Sequence, residues 1–272
     1  HHYDKTPTED YMTDHSMTRL LHSADQTIKD CVNANKDFRI INVGTGATGA
    51  INKMQQILGV YLPPATRECI EKNLDCDISS INKKLPVVFV GPYEHHSNEI
   101  SWRDGLCETI TVDLDEKGHI SMAHLEQLLT KPEYQNLRKI GSFSAASNVT
   151  GLLSPVHEIA ALLHKHDALA LFDYAASAPY VDINMQPKDS TPTHNTCLDA
   201  VFISAHKFLG GPGSSGVLVF NKSLYKSHLP PTVSGGGTVS YVAKHKHDFF
   251  DDIEEREKAG TPGVLQILRA AL

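Results

Sequence analysis

Four short runs in this chain carry no charged residue: Val87–Val90 (VVFV), Ala168–Phe172 (ALALF), Val201–Ile203 (VFI) and Val217–Phe220 (VLVF). A strand that alternates apolar and polar residues keeps one face in water, whereas a strand that is apolar throughout is covered on both. Between and around these runs lie segments with apolar residues at helical spacing. They are Asp14–Asn35 (Met17, Leu20, Leu21, Ala24, Ile28, Val32), the stretch holding Ile51, Met54, Ile57 and Leu58, Met122–Leu129, and Pro155–His166. Phe38–Val43, Thr109–Leu114 and Lys139–Phe143 read as further strands, Pro63-Pro64 breaks the pattern, and Val264–Leu272 is a closing helical run. Strands that alternate with helices and are apolar on both faces predict an α/β domain. The expected form is a three-layer αβα sandwich with a mostly parallel sheet.

Bulk properties narrow the function. Lys+Arg number 25 against 32 Asp+Glu, a net charge of −7, which argues against a general nucleic-acid binder. No apolar run approaches the roughly 18 residues of a membrane-spanning helix, and the polar N-terminal stretch carries no signal-peptide pattern. The five cysteines (Cys31, Cys69, Cys76, Cys107, Cys197) are an odd count with no CxxC spacing. They read as reduced structural thiols, and the protein as cytoplasmic.

In an open α/β sheet, ligands bind beyond the carboxyl ends of the strands. Five endings are therefore expected to converge: Gly44–Gly49, Glu94–Asn98, Ser147–Gly151, Asp173 and Ser204–Lys207. Lys207 sits at a strand mouth beside a hydroxyl and an imidazole. It is either a surface lysine or an amine able to form a Schiff base with a carbonyl. Gly44–Gly49 fits G-x-G-x-x-G, which raises a dinucleotide-binding alternative. The acidic strand end wanted about 20 positions later is missing, because Leu62–Glu68 is not a strand end. What survives is a phosphate site at a helix N-terminus, or a plain glycine turn. Asp173 closes an apolar strand and needs a partner there, either a protonated heterocyclic nitrogen or a structural hydrogen bond. His95-His96 reads as a surface pair, an aromatic platform or an acid–base group.

Three tempting motifs fail. His157-Glu158 begins H-E-x-x-H, but Ala161 stands at the second histidine's place. Asp113–Gly118 imitates a calcium loop with Lys117 and His124 at ligand positions. His245-Lys246-His247 reads as a solvated loop, and no metal is expected.

Taken in order, GTGATGAINK (44–53), EHHSN (94–98), SNVTG (147–151), the Asp173 strand end, SAHKFLGGPG (204–213), GGGTV (235–239) and AGTPG (259–263) resemble the class V aminotransferase and cysteine desulfurase-like family. This is a family of fold type I enzymes dependent on pyridoxal 5′-phosphate (PLP). The resemblance implies that Lys207 holds PLP as a Schiff base and moves protons on the substrate. It implies further that Asp173 pairs with the pyridine nitrogen and that His95 stacks on the ring. Ala47, Thr48, Ser204 and His206 would serve the phosphate, and Asn148 the phenolic oxygen and substrate carboxylate. Thr238 would reach the phosphate of a neighbouring subunit in a homodimer with shared sites. The implied substrate is an amino acid, with cysteine desulfurase or selenocysteine lyase the nearest activity and amino transfer next. A PLP-binding scaffold without turnover is the alternative of a different class. Many members carry Gln three residues after the ring-nitrogen aspartate, where this chain has Ala176. Neither the family's carboxylate-binding arginine nor the desulfurase nucleophilic cysteine is matched. The chain is therefore expected to be the large PLP-binding domain of a longer enzyme, with 1–37 an N-terminal helical segment and 250–272 the start of a connection toward a small C-terminal domain.

Overall fold

The structure is a computed structural model that describes residues 12–74, 77–78 and 84–272. Its central sheet contains β1 (Phe38–Val43), β2 (Val87–Val90), β3 (Glu108–Thr111), β4 (Lys139–Ser144), β5 (Ala168–Asp173), β6 (Ala200–Ser204) and β7 (Gly216–Asn221). They lie in the order β1-β7-β6-β5-β4-β2-β3. All point the same way except β7, which runs antiparallel to both β1 and β6. The expected mostly parallel sheet is therefore present.

The reason for the apolar strands is visible in the core. Successive residues of one strand join opposite layers: Phe89, Phe172, Val201 and Val219 face one side, and Val88, Val90, Leu171, Phe202, Leu218 and Phe220 face the other. The first layer is covered by α1 (Met12–Cys31), α5 (Met122–Leu129) and α6 (Val156–Lys165), through Ile28, Leu125, Ile159 and Leu163. The second is covered by α2 (Gly46–Leu58), through Ile51 and Met54, and by Trp102 of the short α4 (Ile100–Arg103). Each such side chain taken fully out of water contributes about 1.5–3 kcal/mol, so the β2, β5, β6 and β7 sequences are stable only between two helical layers. α3 (Pro64–Leu74) is a helix where Pro63-Pro64 suggested only a break: Pro64 starts it, and it contains no buried residue to mark a face. Toward the C-terminus, a hairpin of β8 (Val239–Val242) and β9 (His247–Phe249) precedes α7 (Ile253–Arg256). The last helix, α8 (Val264–Ala271), packs against α1. His247, expected in a solvated loop, opens β9 and is exposed. No helix among the described residues is long and apolar enough to cross a membrane.

Candidate active site

The parallel strands end at one edge of the sheet, and their endings do converge. A cavity of about 200 Å³ is lined by Ala47, Thr48, His95, Asn148, Asp173, Ser204, His206 and Lys207, together with Thr45, Ser97, Ser144, Ala146, Ala175 and Ala176. The first eight are eight of the nine residues expected from the sequence.

On one wall, α2 begins directly after β1. Its first turn holds no acidic residue, and Thr45 makes no side-chain cap bond there. The orphan N–H groups and the positive end of the helix dipole therefore favour an anion. The Ala47 N–H donates to Ser204 Oγ (2.9 Å), which ties the helix start to the end of β6. Gly46 makes this approach possible. Its φ is +60°, and a Cβ would come within 2.6 Å of His206 Cε1 and 2.8 Å of Ser204 Oγ. The Thr48 and Ser97 hydroxyls lie 2.7 Å apart.

Lys207 follows β6 on the 3₁₀ turn Ala205–Lys207, and it is exposed at the cavity mouth. The chain then folds back tightly, with the Gly211 N–H donating to the Phe208 carbonyl (2.9 Å). A Cβ at Gly211 would run into the Ala205 carbonyl. The glycines after Lys207 thus form its turn.

Asp173 ends β5 with only 4% exposure. Its Oδ1 accepts from the Ala175 N–H (2.8 Å). Burial raises its pKa, while that hydrogen bond and the charges of Lys207 and His95 pull it down without cancelling the effect. A buried carboxyl in this position lacks a strong cationic partner of its own. His95, by contrast, is exposed. Its Nδ1 accepts from the Ser97 N–H (3.2 Å) and lies 3.1 Å from Ser97 Oγ. In the neutral ring the proton therefore sits on Nε2.

Thr238 stands apart. It is fully buried, its hydroxyl donates to the Gly235 carbonyl (2.7 Å), and it does not line the cavity of its own chain. Ala176 lines the cavity and offers no side-chain hydrogen bond there. The four described cysteines do not line this cavity. Cys31 and Cys69 are exposed, Cys197 is half-buried, and burial pushes the Cys107 thiol up to about 11; Cys76 lies outside the described residues. His157 Nδ1 is 2.9 Å from the Thr196 carbonyl. Asp115 closes a turn by accepting from the Lys117 and His119 N–H groups (2.8 and 2.9 Å).

The dinucleotide alternative finds no support in the topology. β1 is an edge strand whose neighbour, β7, is antiparallel, so among the described residues no adjacent parallel strand completes the βαβ unit.

The aminotransferase class-V family model matches residues 2–272. The chain belongs to the class V aminotransferase family. Enzymes of this family are PLP-dependent, as the motif resemblance implied. A probable cysteine desulfurase of Chlamydia muridarum is 32% identical over 185 residues, covering 66% of this chain and 42% of the relative. The cysteine desulfurase SufS of Plasmodium falciparum is 24% identical over 271 residues, covering 94% and 44%. The chain thus spans less than half the length of these curated relatives. Among solved structures, the apo cysteine desulfurase of Thermococcus onnurineus superposes with a TM-score of 0.70 at 19% identity, over 97% of this chain and 58% of that one. The cysteine desulfurase CsdA of Escherichia coli superposes with a TM-score of 0.69, also at 19% identity, over the same shares. At these identities the two structures show the shared fold type I architecture.

The residues present fit PLP. The helix start without a carboxylate suits a phosphate, the buried Asp173 carboxyl suits a protonated ring nitrogen, and Lys207 supplies an amine on the same wall.

Sequence reasoning missed a group just behind this cavity. Glu94 was singled out only as part of the loop, yet its carboxyl collects four hydrogen bonds. The available signal was the i, i+4, i+8 spacing of Glu94, Asn98 and Trp102. These three residues form one hydrogen-bonded chain.

Proposed function

We propose that this chain is the large PLP-binding domain of an enzyme acting on the α-carbon of an amino acid, with cysteine desulfuration the nearest activity. The observation that carries the reading is the meeting of Lys207, Asp173, His95 and the α2 N-terminus around one cavity. Bound there, PLP supplies an electron sink for the bonds of the substrate carbon.

Lys207 Nζ is the group that would hold the cofactor covalently, and its freed amine would then carry a proton to or from the substrate carbon. Asp173, ionised against a cationic ring nitrogen, keeps that nitrogen protonated. His95, oriented by the Ser97 N–H, supplies the flat face above the ring. The α2 start with Thr48, Ser204 and His206 orients the phosphate. Asn148, exposed on the rim, is the neutral donor available to substrate carboxylate and phenolic oxygen. The relatives named cysteine desulfurase favour cysteine as the substrate. A homodimer with shared sites belongs to the same reading, with the Gly235–Thr238 turn as the element offered to a neighbouring copy.

The test is borohydride reduction of the PLP-loaded whole protein, followed by peptide mass analysis and a sulfide assay with cysteine. The expected result is a pyridoxyl mass on the peptide containing Lys207, lost in Lys207→Ala, together with sulfide release. A protein that takes up no PLP, or carries the adduct at another lysine, would sink the reading. An adduct on Lys207 with keto-acid formation but no sulfide would move the activity to transamination.

A further inference from the structure

Glu94 lies immediately before His95, yet it does not line the cavity. Although the residue as a whole is only partly covered, its carboxyl is enclosed by donors from three directions. Oε1 accepts from the Gly91 N–H (3.1 Å) and from the Ser144 N–H (2.8 Å). Oε2 accepts from Ser144 Oγ (2.6 Å) and Asn98 Nδ2 (2.8 Å). The first contact closes the turn that leaves β2. The two Ser144 contacts reach the last residue of β4, and the Asn98 contact runs forward along the His95 loop.

Ser144 is the residue directly opposite Asp173 in the β4–β5 register, and it is one of the residues lining the cavity. Asn98 extends the tie. Its Oδ1 accepts from Ser142 Oγ (2.6 Å) and from Nε1 of the fully buried Trp102 (3.0 Å), while its Nδ2 also donates to the Ser142 carbonyl (3.2 Å). The loop bearing His95 is thereby fixed to β4 at two alternate residues, Ser142 and Ser144.

We propose that Glu94 is a positioning residue for the cofactor: its carboxyl clamps the His95 loop to the strand beside Asp173, and so sets the distance between the residue above the ring and the residue at the ring nitrogen. The proposal rests on the PLP reading of the cavity. Removing this carboxyl would leave the Gly91 and Ser144 N–H groups without this acceptor and the Asn98 amide with the Ser142 carbonyl alone.

The clamp depends on position more than on charge. Burial pushes the Glu94 carboxyl up to about 7, against the lowering effect of the Ser144 and Asn98 hydrogen bonds and with a small further rise from Asp173. The shift brings the uncharged form within reach of neutral pH. In the uncharged form the Glu94 O–H donates a hydrogen bond to Ser144 Oγ, which can accept as well as donate. Glutamine keeps one acceptor oxygen for the Gly91 and Ser144 N–H groups and an amide that can donate to Ser144 Oγ, and so holds the tie to β4 through Ser144; it gives up the acceptor that Asn98 Nδ2 uses, and Asn98 stays anchored through Ser142 and Trp102. Alanine removes the tie, and aspartate withdraws the carboxyl by one methylene.

The experiment compares wild type with Glu94→Ala, Glu94→Asp and Glu94→Gln in the whole protein. It reads PLP affinity by absorbance titration and the induced circular dichroism of the bound cofactor. Glu94→Ala and Glu94→Asp are expected to bind PLP about tenfold more weakly, with a diminished dichroic band, as misplaced binding groups do. Glu94→Gln is expected to stay within about threefold of wild type with the band restored. Should Glu94→Ala fail to fold, the contrast of Asp with Gln carries the test. If Glu94→Ala and Glu94→Asp match wild type in both readouts, or if Glu94→Gln is as impaired as Glu94→Ala, the positioning role is overturned while the PLP site stands. If wild type itself takes up no PLP, the site reading falls and this proposal falls with it.

Discussion

At Asp173 a strand buried at all but Leu169 delivers a carboxyl to the cavity, where burial raises its pKa despite the Ala175 hydrogen bond and the nearby Lys207 and His95. A raised carboxylate pKa means that the folded apoprotein holds a proton which the unfolded chain has released. The stability cost of Asp173 therefore grows as pH rises above the unfolded value of 3.8. Asp173→Asn removes that cost. The Asn variant is expected to melt at the same temperature as wild-type apoprotein or higher, with the gap widening from acid to neutral pH in thermal scans. The same variant is expected to lose at least about a hundredfold in turnover, because a neutral amide does not hold a ring nitrogen protonated. A variant less stable than wild type at pH 7 would show that Asp173 serves the fold instead. The residue type and its strand end were legible in the sequence; the carboxyl's near isolation from partners was not, since that depends on β4, β6 and the Lys207 turn together.

Among the elements, α6 is stapled at its C-terminal end. His164 Nε2 lies 2.9 Å from Asp199 Oδ2, and its Nδ1 lies 2.8 Å from the Asn195 carbonyl. Asp199 Oδ2 also accepts from the Ala170 N–H of β5 (2.8 Å), so helix, strand and the approach to β6 meet at one carboxylate. Burial alone would lower the His164 pKa; the Asp199 hydrogen bond and charge outweigh it, and the net shift is upward. A raised histidine stabilises the fold fully below the unfolded pKa of about 6.5, and that contribution fades as pH rises through the folded value. His164→Gln is accordingly expected to cost more stability at pH 5.5 than at pH 8.5 in urea melts, and an equal cost at both would exclude the charged pair. The strands and the longer helices were legible because each buries a face. α3 escaped because it buries none, and the β8–β9 hairpin escaped because its residues are largely exposed. Elements that contribute little to the core leave little apolar periodicity to read.

For the molecule as a whole, two helical layers on one sheet leave the carboxyl edge of the strands as the place where polar groups gather. If that edge binds PLP, ligand and fold are linked. At a hundredfold excess over the dissociation constant, PLP is expected to stabilise the protein by about 2.7 kcal/mol, a melting shift of roughly 5–10 °C for a chain of this size. Lys207→Ala should show a markedly smaller shift, and equal shifts would separate binding from the lysine. By itself the amino-acid sequence determined the α/β class, the strand limits to within a residue or two at most strands, and eight residues of the cavity wall. The class and the strands follow from a local cause, since apolar runs need cover on both faces; the strand ends were expected to converge, and the choice of the eight residues came from the motif resemblance. The tertiary structure decided what lies behind the wall. Glu94 meets Ser144, fifty positions away, and Ala47 meets Ser204, only because β4 pairs beside β2 and β6 ends against α2. Thr238 likewise bonds within its own glycine turn, away from the cavity of its own chain. Strand order sets these meetings, and strand order is a property of the packed sheet that no single stretch of the chain carries.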